Sequence, residues 1–291
     1  MKLANSPVTK LEVFGRKWFI KRDELLDPQI NGNKARKLYT FAAHGFKAST
    51  VISYGGAQSN AMYAISALAK SQGVEFVYYA KKLSSLLAAS PTGNLKAALE
   101  NGMNLVEIEH SEYGAKIEEL LASNEPDILV IRQGGADEYA REGLKLLAAE
   151  LNEFARSHNL KNPIAITSSG TGTTAGYLSD YLDFECLTTP CVSDAQFLNG
   201  EFERLEVRKK PTILETNDKI AFAAPHPKLL AIHKELLLAG LEFDLIYDAK
   251  CWLAIVENLG YFEGRDAIFV HSGGLLGNET QLARYAHKGF F

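Results

Sequence analysis

Ile164-Ala165-Ile166-Thr167-Ser168-Ser169-Gly170-Thr171-Gly172-Thr173-Thr174-Ala175-Gly176 is the stretch on which the fold turns. A β-rich run over 164–167 enters a loop of glycines and hydroxyls, and a helical pattern over 173–182 follows. Glycines that free backbone N–H groups at a helix N-terminus, joined by hydroxyls, form a cradle for a phosphate. The plainer alternative is a tight turn with threonine caps and no ligand. The Ser/Thr hydroxyls among the glycines favour the phosphate. Gly170-x-Gly172-x-x-Ala175 also fits the dinucleotide fingerprint in its Gly/Gly/Ala form. It lies past the midpoint of the chain, however, and no acidic residue stands at the end of the next strand. A nucleotide-dependent oxidoreductase is therefore the weaker reading of the same loop.

Working outward, strand-like and helix-like patterns alternate on both sides. The runs 11–14 and 18–21 flank Gly15-Arg16 and read as a hairpin. Strand patterns at 50–53, 74–79, 105–108 and 128–131 precede helical patterns at 60–72, 93–100, 116–122 and 138–157. Further strands are expected at 184–187, 212–214 and 267–271, and helices at 228–239 and 250–258. This rhythm predicts an α/β protein with parallel sheets covered by helices on both faces. Parallel sheets present ligands at the carboxyl ends of their strands. Four glycine-bearing loops fall there: 54–60, 133–135, 168–174 and 271–274. A site assembled from distant segments is the expectation.

Composition narrows the function classes. The chain has 291 residues, 46% hydrophobic and 23% charged, with a net charge of -4 spread along its length. That length suits two domains and a sizeable core. The interspersed charge marks no face for nucleic acid or anionic membrane, so a small-molecule substrate fits better. Cys186, Cys191 and Cys251 lack CxxC spacing, which argues against a disulfide framework or a structural zinc site, and no metal is expected. No signal-like run opens the sequence and no stretch of about eighteen apolar residues occurs, so a cytosolic protein is expected.

Two segments could carry chemistry. Lys34 lies in Asn31-Gly32-Asn33-Lys34-Ala35-Arg36-Lys37-Leu38. A lysine acts as a nucleophile or imine former only after losing its charge, which desolvation or cationic neighbours such as Arg36 and Lys37 promote. Asn-Gly-Asn before it marks a turn and a helix start. A solvated basic face is the plain alternative, and periodicity does not separate Lys34 from Lys37. In Gly55–Asn60, Ser59 and Asn60 meet a helix N-terminus able to hold a carboxylate, with Asn60 expected as the cap. His226 and His233 read as surface or loop residues, Cys251 as a buried helix residue, and His271 as a strand end beside the site.

Taken together, Lys21-Arg22-Asp23, Gly32-Asn33-Lys34-x-Arg36-Lys37-Leu38, Gly55-Gly56-x-Gln58-Ser59-Asn60, the loop at 170–176, Tyr247-Asp248-x-Lys250 and His271-Ser272-Gly273-Gly274 resemble the 1-aminocyclopropane-1-carboxylate deaminase / D-cysteine desulfhydrase family, over nearly the whole chain. The resemblance implies the second fold type of pyridoxal 5′-phosphate enzymes, tryptophan synthase β-like. Its fold class is two open parallel-sheet, three-layer αβα domains with the cofactor in the cleft between them. Residues 1–45 plus 146–291 would form the larger domain and 46–145 the smaller.

By the same resemblance, Lys34 is the Schiff-base lysine and Ser59 and Tyr247 face the substrate. Asn60 contacts the cofactor's 3′-oxygen, and Thr171, Gly172, Thr173 and Thr174 hold its phosphate. Asp248 sits beside the pyridine nitrogen, with Ser272 nearby. A carboxylate at 248 matches the deaminases, whereas the desulfhydrases tend to have a hydroxyl residue there. The implied activity releases ammonia and a 2-oxo acid from a small amino acid, in a homodimer. The chain departs from the pattern at Ala61, where a polar residue is usual, and in Ala221–Pro225, which lacks expected glycines. Ala61 keeps open a degenerate member that binds without turnover.

Overall fold

The computed structural model describes residues 3–291. Its strands are β1 (Val8–Val13), β2 (Arg16–Lys21), β3 (Thr50–Gly55), β4 (Glu75–Lys81), β5 (Asn104–Ile108), β6 (Ile128–Ile131), β7 (Ile164–Ser169), β8 (Glu185–Pro190), β9 (Thr212–Ile213) and β10 (Ala267–Val270). They form two sheets. One has six strands in the order β1-β2-β10-β7-β8-β9, the other four in the order β5-β4-β3-β6. Every pairing is parallel except β1 with β2. That hairpin turns on Phe14-Gly15 rather than Gly15-Arg16, because Val13 pairs Arg16 and both turn residues have positive φ (53° and 73°). Two left-handed central residues match the twist of the flanking strands.

The six-stranded sheet has apolar layers on both faces. Trp18, Trp252, Phe243, Phe262 and Phe269 pack on one. On the other, Leu144, Leu147 and Leu151 of the helix Ala140–Ser157 join Leu178, Leu198 and Phe202. The smaller sheet is covered by Met62, Ile65 and Leu68 on one face and by Ile117 and Leu120 on the other. Each sheet is thus the middle of an αβα sandwich, as expected. Among the described residues no helix is long and apolar enough to cross a membrane.

Strand order places the site. In the larger sheet the chain passes from β7 to β8 and β9 on one side, while β10 lies on the other. In the smaller sheet β4 and β5 lie on one side of β3 and β6 on the other. Each is a point where strand order reverses, and loops leaving such neighbouring strands diverge and open a crevice. The loops after β7, β10, β3 and β6 are the four glycine-bearing ones.

The helix Ala195–Arg204, capped where Asp194 Oδ1 accepts from the Phe197 N–H (2.9 Å), was not among the expected elements, nor was Leu276–His287. His233, expected at the surface, is buried, with Nδ1 3.2 Å from the Phe243 carbonyl.

Candidate active site

The helix Gly32–Lys37 is locked into place before its side chains reach the crevice. Gly32 has φ +57°, and a Cβ there would lie 1.9 Å from the Ser272 carbonyl oxygen. Only glycine permits that contact. The Asn33 N–H donates to the same carbonyl (3.1 Å), and Gly274 N–H donates to Asn31 Oδ1 (3.2 Å). The lysine segment is therefore clasped to the loop after β10.

Arg36 and Lys34 leave this short helix in different directions. Arg36 is fully buried. Its guanidinium donates to both oxygens of Asp23 (2.9 and 2.7 Å) and both oxygens of Glu150 (2.7 and 2.8 Å). Lys21 Nζ reaches Glu150 (2.6 Å), and Ser6 Oγ donates to Asp23 (2.5 Å). Burial alone would lower the Arg36 pKa, but Asp23 and Glu150 raise it above the usual value. Arg36 is thus a brace and not a cationic neighbour that deprotonates Lys34.

Lys34 is half-buried, and its amine donates to Asn33 Oδ1 (2.7 Å). Burial pulls its pKa down to about 8, against the opposing charges of Asp244 and Asp248. An amine at that value is partly neutral near pH 8 and can act as a nucleophile. Lys37 is buried, with its amine on the Gly134 carbonyl (3.0 Å). Burial, then Lys34, pushes its pKa well below the ordinary lysine value. The two lysines that periodicity could not separate therefore part here. Lys37 is held by the loop after β6, while Lys34 faces two carboxylates.

Asp248 opens the helix Asp248–Glu257 and is fully buried. Ser168 Oγ donates to its Oδ1 (2.8 Å) and the Ser272 N–H to its Oδ2 (3.1 Å). His271 Nδ1 stands 3.7 Å away, accepts from the Gly273 N–H (3.0 Å), and lies in a ring stacked on Phe243. Burial raises the Asp248 pKa, while His271, Ser168 and Ser272 oppose the rise. Such a carboxylate lacks a strong counter-ion, and a protonated ring nitrogen would supply one.

The loop after β7 runs into the helix Thr173–Tyr181 through Gly172, whose φ is +71°. A Cβ at Gly172 would lie 2.8 Å from the Phe202 ring, so the turn requires glycine. Thr171 Oγ1 is 3.0 Å from Thr173 Oγ1, and Thr174 Oγ1 is buried without a hydrogen-bond partner. An orphaned hydroxyl beside the first, unpaired N–H groups of a helix is what a bound phosphate oxygen would satisfy. The Tyr247 ring lies over Gly170, with Cε1 3.2 Å from the position of a Cβ there, and Phe222 packs beside it (5.7 Å between centroids).

Across the crevice, Ser59 and not Asn60 caps the helix Asn60–Gln72, its Oγ accepting from the Met62 N–H (3.3 Å). Asn60 is released from capping. Its Oδ1 accepts from Asn94 Nδ2 (2.6 Å), and a Cβ on Gly274 would meet its Nδ2 at 2.2 Å. The Ala61 methyl is buried in the core of the smaller sheet. In 221–225, Ala223 adopts φ +54°, and its carbonyl accepts from Gln281 (3.0 Å) and Arg284 (2.7 Å). A glycine's conformation is thus kept there without the glycine.

Lys34, Asp248, Ser272, Tyr247 and Thr171–Thr174 come from the larger-sheet side, and Ser59 and Asn60 from the smaller. Gly274 against Asn60 and Gly134 against Thr171 (3.4 Å between a Cβ and Thr171 Cγ2) join the two. Sequence reasoning missed Asp244 and Asn94. Asp244 is buried, accepts from the Ile246 N–H (3.0 Å) and Tyr247 N–H, and is raised to about 7 by burial and then by Asp248. Its place four residues before the Asp248 helix, as a turn-forming Asp, was the available signal.

The two parallel αβα sheets place the fold in the class of second-type pyridoxal-phosphate enzyme folds. No family model matches the chain. It is 26% identical to a Thermotoga maritima protein named "Putative 1-aminocyclopropane-1-carboxylate deaminase", over 94% of this chain and 93% of that one. It is likewise 26% identical to the D-cysteine desulfhydrase of Klebsiella pneumoniae, over 89% of this chain and 87% of that one. A solved structure described as an ACC deaminase homologue superposes with a TM-score of 0.77 at 21% identity, covering 98% of this chain and 95% of the other. The family resemblance carried by the motifs is thereby borne out, in sequence and in fold.

Proposed function

We propose that this chain is a pyridoxal 5′-phosphate-dependent deaminase or carbon–sulfur lyase that releases ammonia and a 2-oxo acid from a small amino acid. The observation that carries the reading is the Lys34 amine, lowered to about 8 and faced by buried Asp248 on a helix clasped to the loop after β10. The orphaned Thr174 hydroxyl and the Gly172 turn fit a phosphate and support the same cofactor.

When bound, pyridoxal phosphate supplies an electron-withdrawing ring that stabilises negative charge at a substrate α-carbon. Lys34 would hold the cofactor through its amine and, once released, move protons at the substrate carbons. Thr171, Gly172, Thr173 and Thr174 would bind the phosphate, and Asn60 would donate to the 3′-oxygen. Asp248, with Ser272 fixing it, would keep the ring nitrogen's proton in place; a carboxylate there favours the deaminase of the two activities. Ser59, with the N–H groups of Asn60 and Ala61 that have no intrahelical partners, would hold the substrate carboxylate. Because the Ala61 side chain is buried, its backbone N–H is the group available for that contact. Tyr247 would cover the substrate above Gly170.

We assign 1–45 with 146–291 to the larger domain and 46–145 to the smaller, a division supported by the segregation of strands between the sheets. A cytosolic homodimer completes the reading, supported by three free, buried cysteines and by the family resemblance.

The test is an absorbance titration of the cofactor-loaded protein with D-cysteine, L-cysteine, D-serine and 1-aminocyclopropane-1-carboxylate, with 2-oxo acid measured in parallel. One of these should shift the visible band and release oxo acid. Lys34→Ala should abolish the lysine-linked band and lower turnover by ~10³-fold or more. Retention of that band in Lys34→Ala would refute the assignment, and a band that shifts without oxo acid from any amino acid would indicate binding without turnover.

A further inference from the structure

We propose that Asn94 is a positioning residue that sets the side-chain amide of Asn60 with its donor toward the Gly274 side of the crevice. Asn94 is the second residue of the helix Gly93–Glu100 and is 1% exposed. Its Nδ2 donates to the Gln58 backbone carbonyl (3.0 Å) and to Asn60 Oδ1 (2.6 Å). Its own N–H donates to Gln58 Oε1 (3.0 Å), and Gln58 Nε2 donates to the Thr92 carbonyl (3.1 Å). Gly93, at φ +54°, turns the chain tightly enough to bring these groups together.

The two ends of a primary amide are nearly the same shape, so only hydrogen-bond partners decide which way it faces. A backbone carbonyl cannot turn. The Gln58 carbonyl accepts and nothing else, which forces Asn94 to present Nδ2 to it. The second Nδ2 hydrogen then requires an acceptor, and that forces Asn60 to present Oδ1. Asn60 Nδ2 is left against Gly274. Polarity thus passes from a fixed carbonyl through two amides to the Asn60 donor that faces Gly274 in the loop after β10. Were Asn94 reversed, its Oδ1 would oppose the Gln58 carbonyl oxygen.

This inference rests on the reading of Asn60 as a contact to the cofactor's 3′-oxygen, an acceptor that needs Nδ2 and would be repelled by Oδ1. Asn94→Asp keeps the shape but removes the donor, so Asn60 turns to give Nδ2 to the new carboxylate and offers its carbonyl to the cofactor. Asn94→Leu removes the control without reversing it.

The experiment measures the equilibrium dissociation constant for pyridoxal phosphate and the position of the visible band in wild type, Asn60→Ala, Asn94→Asp, Asn94→Leu and the double variant Asn60→Ala/Asn94→Asp. Thermal melts of the cofactor-free proteins check folding. Asn60→Ala should weaken binding about tenfold or more and move the band, as expected for a lost hydrogen bond to a charged oxygen. Asn94→Asp should weaken binding at least as much and move the band the same way, and Asn94→Leu should weaken it by about fivefold. In the Asn60→Ala background, Asn94→Asp should add less than about twofold, because the residue it acts through is gone. A wild-type band and affinity in Asn94→Asp, with a clear loss in Asn60→Ala, would overturn the orienting role alone. An equal further loss in the double variant would make Asn94 a packing residue and overturn it as well. Unchanged binding in Asn60→Ala would remove both that residue and Asn94 from the cofactor.

Discussion

The helix Gly32–Lys37 carries basic residues in two contrasting settings. Arg36 is fully buried, and Asp23 and Glu150 take its guanidinium hydrogens in two bidentate pairs. Lys34, two residues earlier, has one neutral partner in Asn33, while Asp244 and Asp248 act on it through charge. The two carboxylates are themselves raised by burial. The first setting is electrostatically complete and its job is to hold. The second leaves an amine and two hydrogen-bonded acids without a close Lys or Arg ion pair, and groups in that condition are the ones able to exchange protons or accept a ligand. Burial alone does not distinguish them; ion pairing does.

The largest effect should come from breaking the complete side. Arg36→Met leaves Asp23 buried without a counter-ion and Glu150 with Lys21 alone, and should cost about 3–5 kcal/mol in denaturant unfolding of the cofactor-free protein. Lys34→Met should leave the same protein no less stable at pH 7. Equal losses in the two variants would erase the contrast.

A smaller effect appears in the pH dependence of stability. Folding lowers the Lys34 pKa from 10.5 to about 8. Between those values the unfolded chain binds more protons, so stability contributed by this residue rises with pH; below pH 8 its full cost is present. Removing it in Lys34→Met should flatten the rise from pH 8 to 10 by on the order of 1 kcal/mol.

The finest test is chemical. The rate at which an amine-directed reagent captures Lys34 in the cofactor-free protein should climb with pH about a midpoint near 8. Asp244→Asn keeps an oxygen for the Ile246 and Tyr247 N–H groups but deletes a charge that favours the ammonium, so the midpoint should fall. A midpoint that stays put would remove Asp244 from the lysine's surroundings.

Much of the layered architecture could be read from the sequence because it is written locally. The helices Asn60–Gln72 and Gly93–Glu100 and the strand Ile128–Ile131 have the bounds that their periodicity predicts. The helix Leu276–His287 escaped because its inward face includes buried Asn278 and Gln281, which break the apolar stripe that marks a helix. Ala195–Arg204 buries only Leu198 and Phe202, with Gly200 between them. At the site, the glycine loops were legible because a phosphate cradle and a tight turn need particular residues in a row. The separation of Lys34 from Lys37, the capping by Ser59 and the parts played by Asp244 and Asn94 were not. Each depends on what lies across the crevice, which local sequence does not record. The same holds for Ala223, whose positive φ is held by hydrogen bonds from Gln281 and Arg284.

Strand β2 sits between β1 and β10, so the segment leading to Lys34 is flanked by its neighbour in sequence and by a strand far along the chain. During synthesis the hairpin of β1 and β2 can form early, but the clasp on Gly32 must await residues 267–274. A chain cut before residue 267 would therefore keep the hairpin and lose the grip that aims the amine.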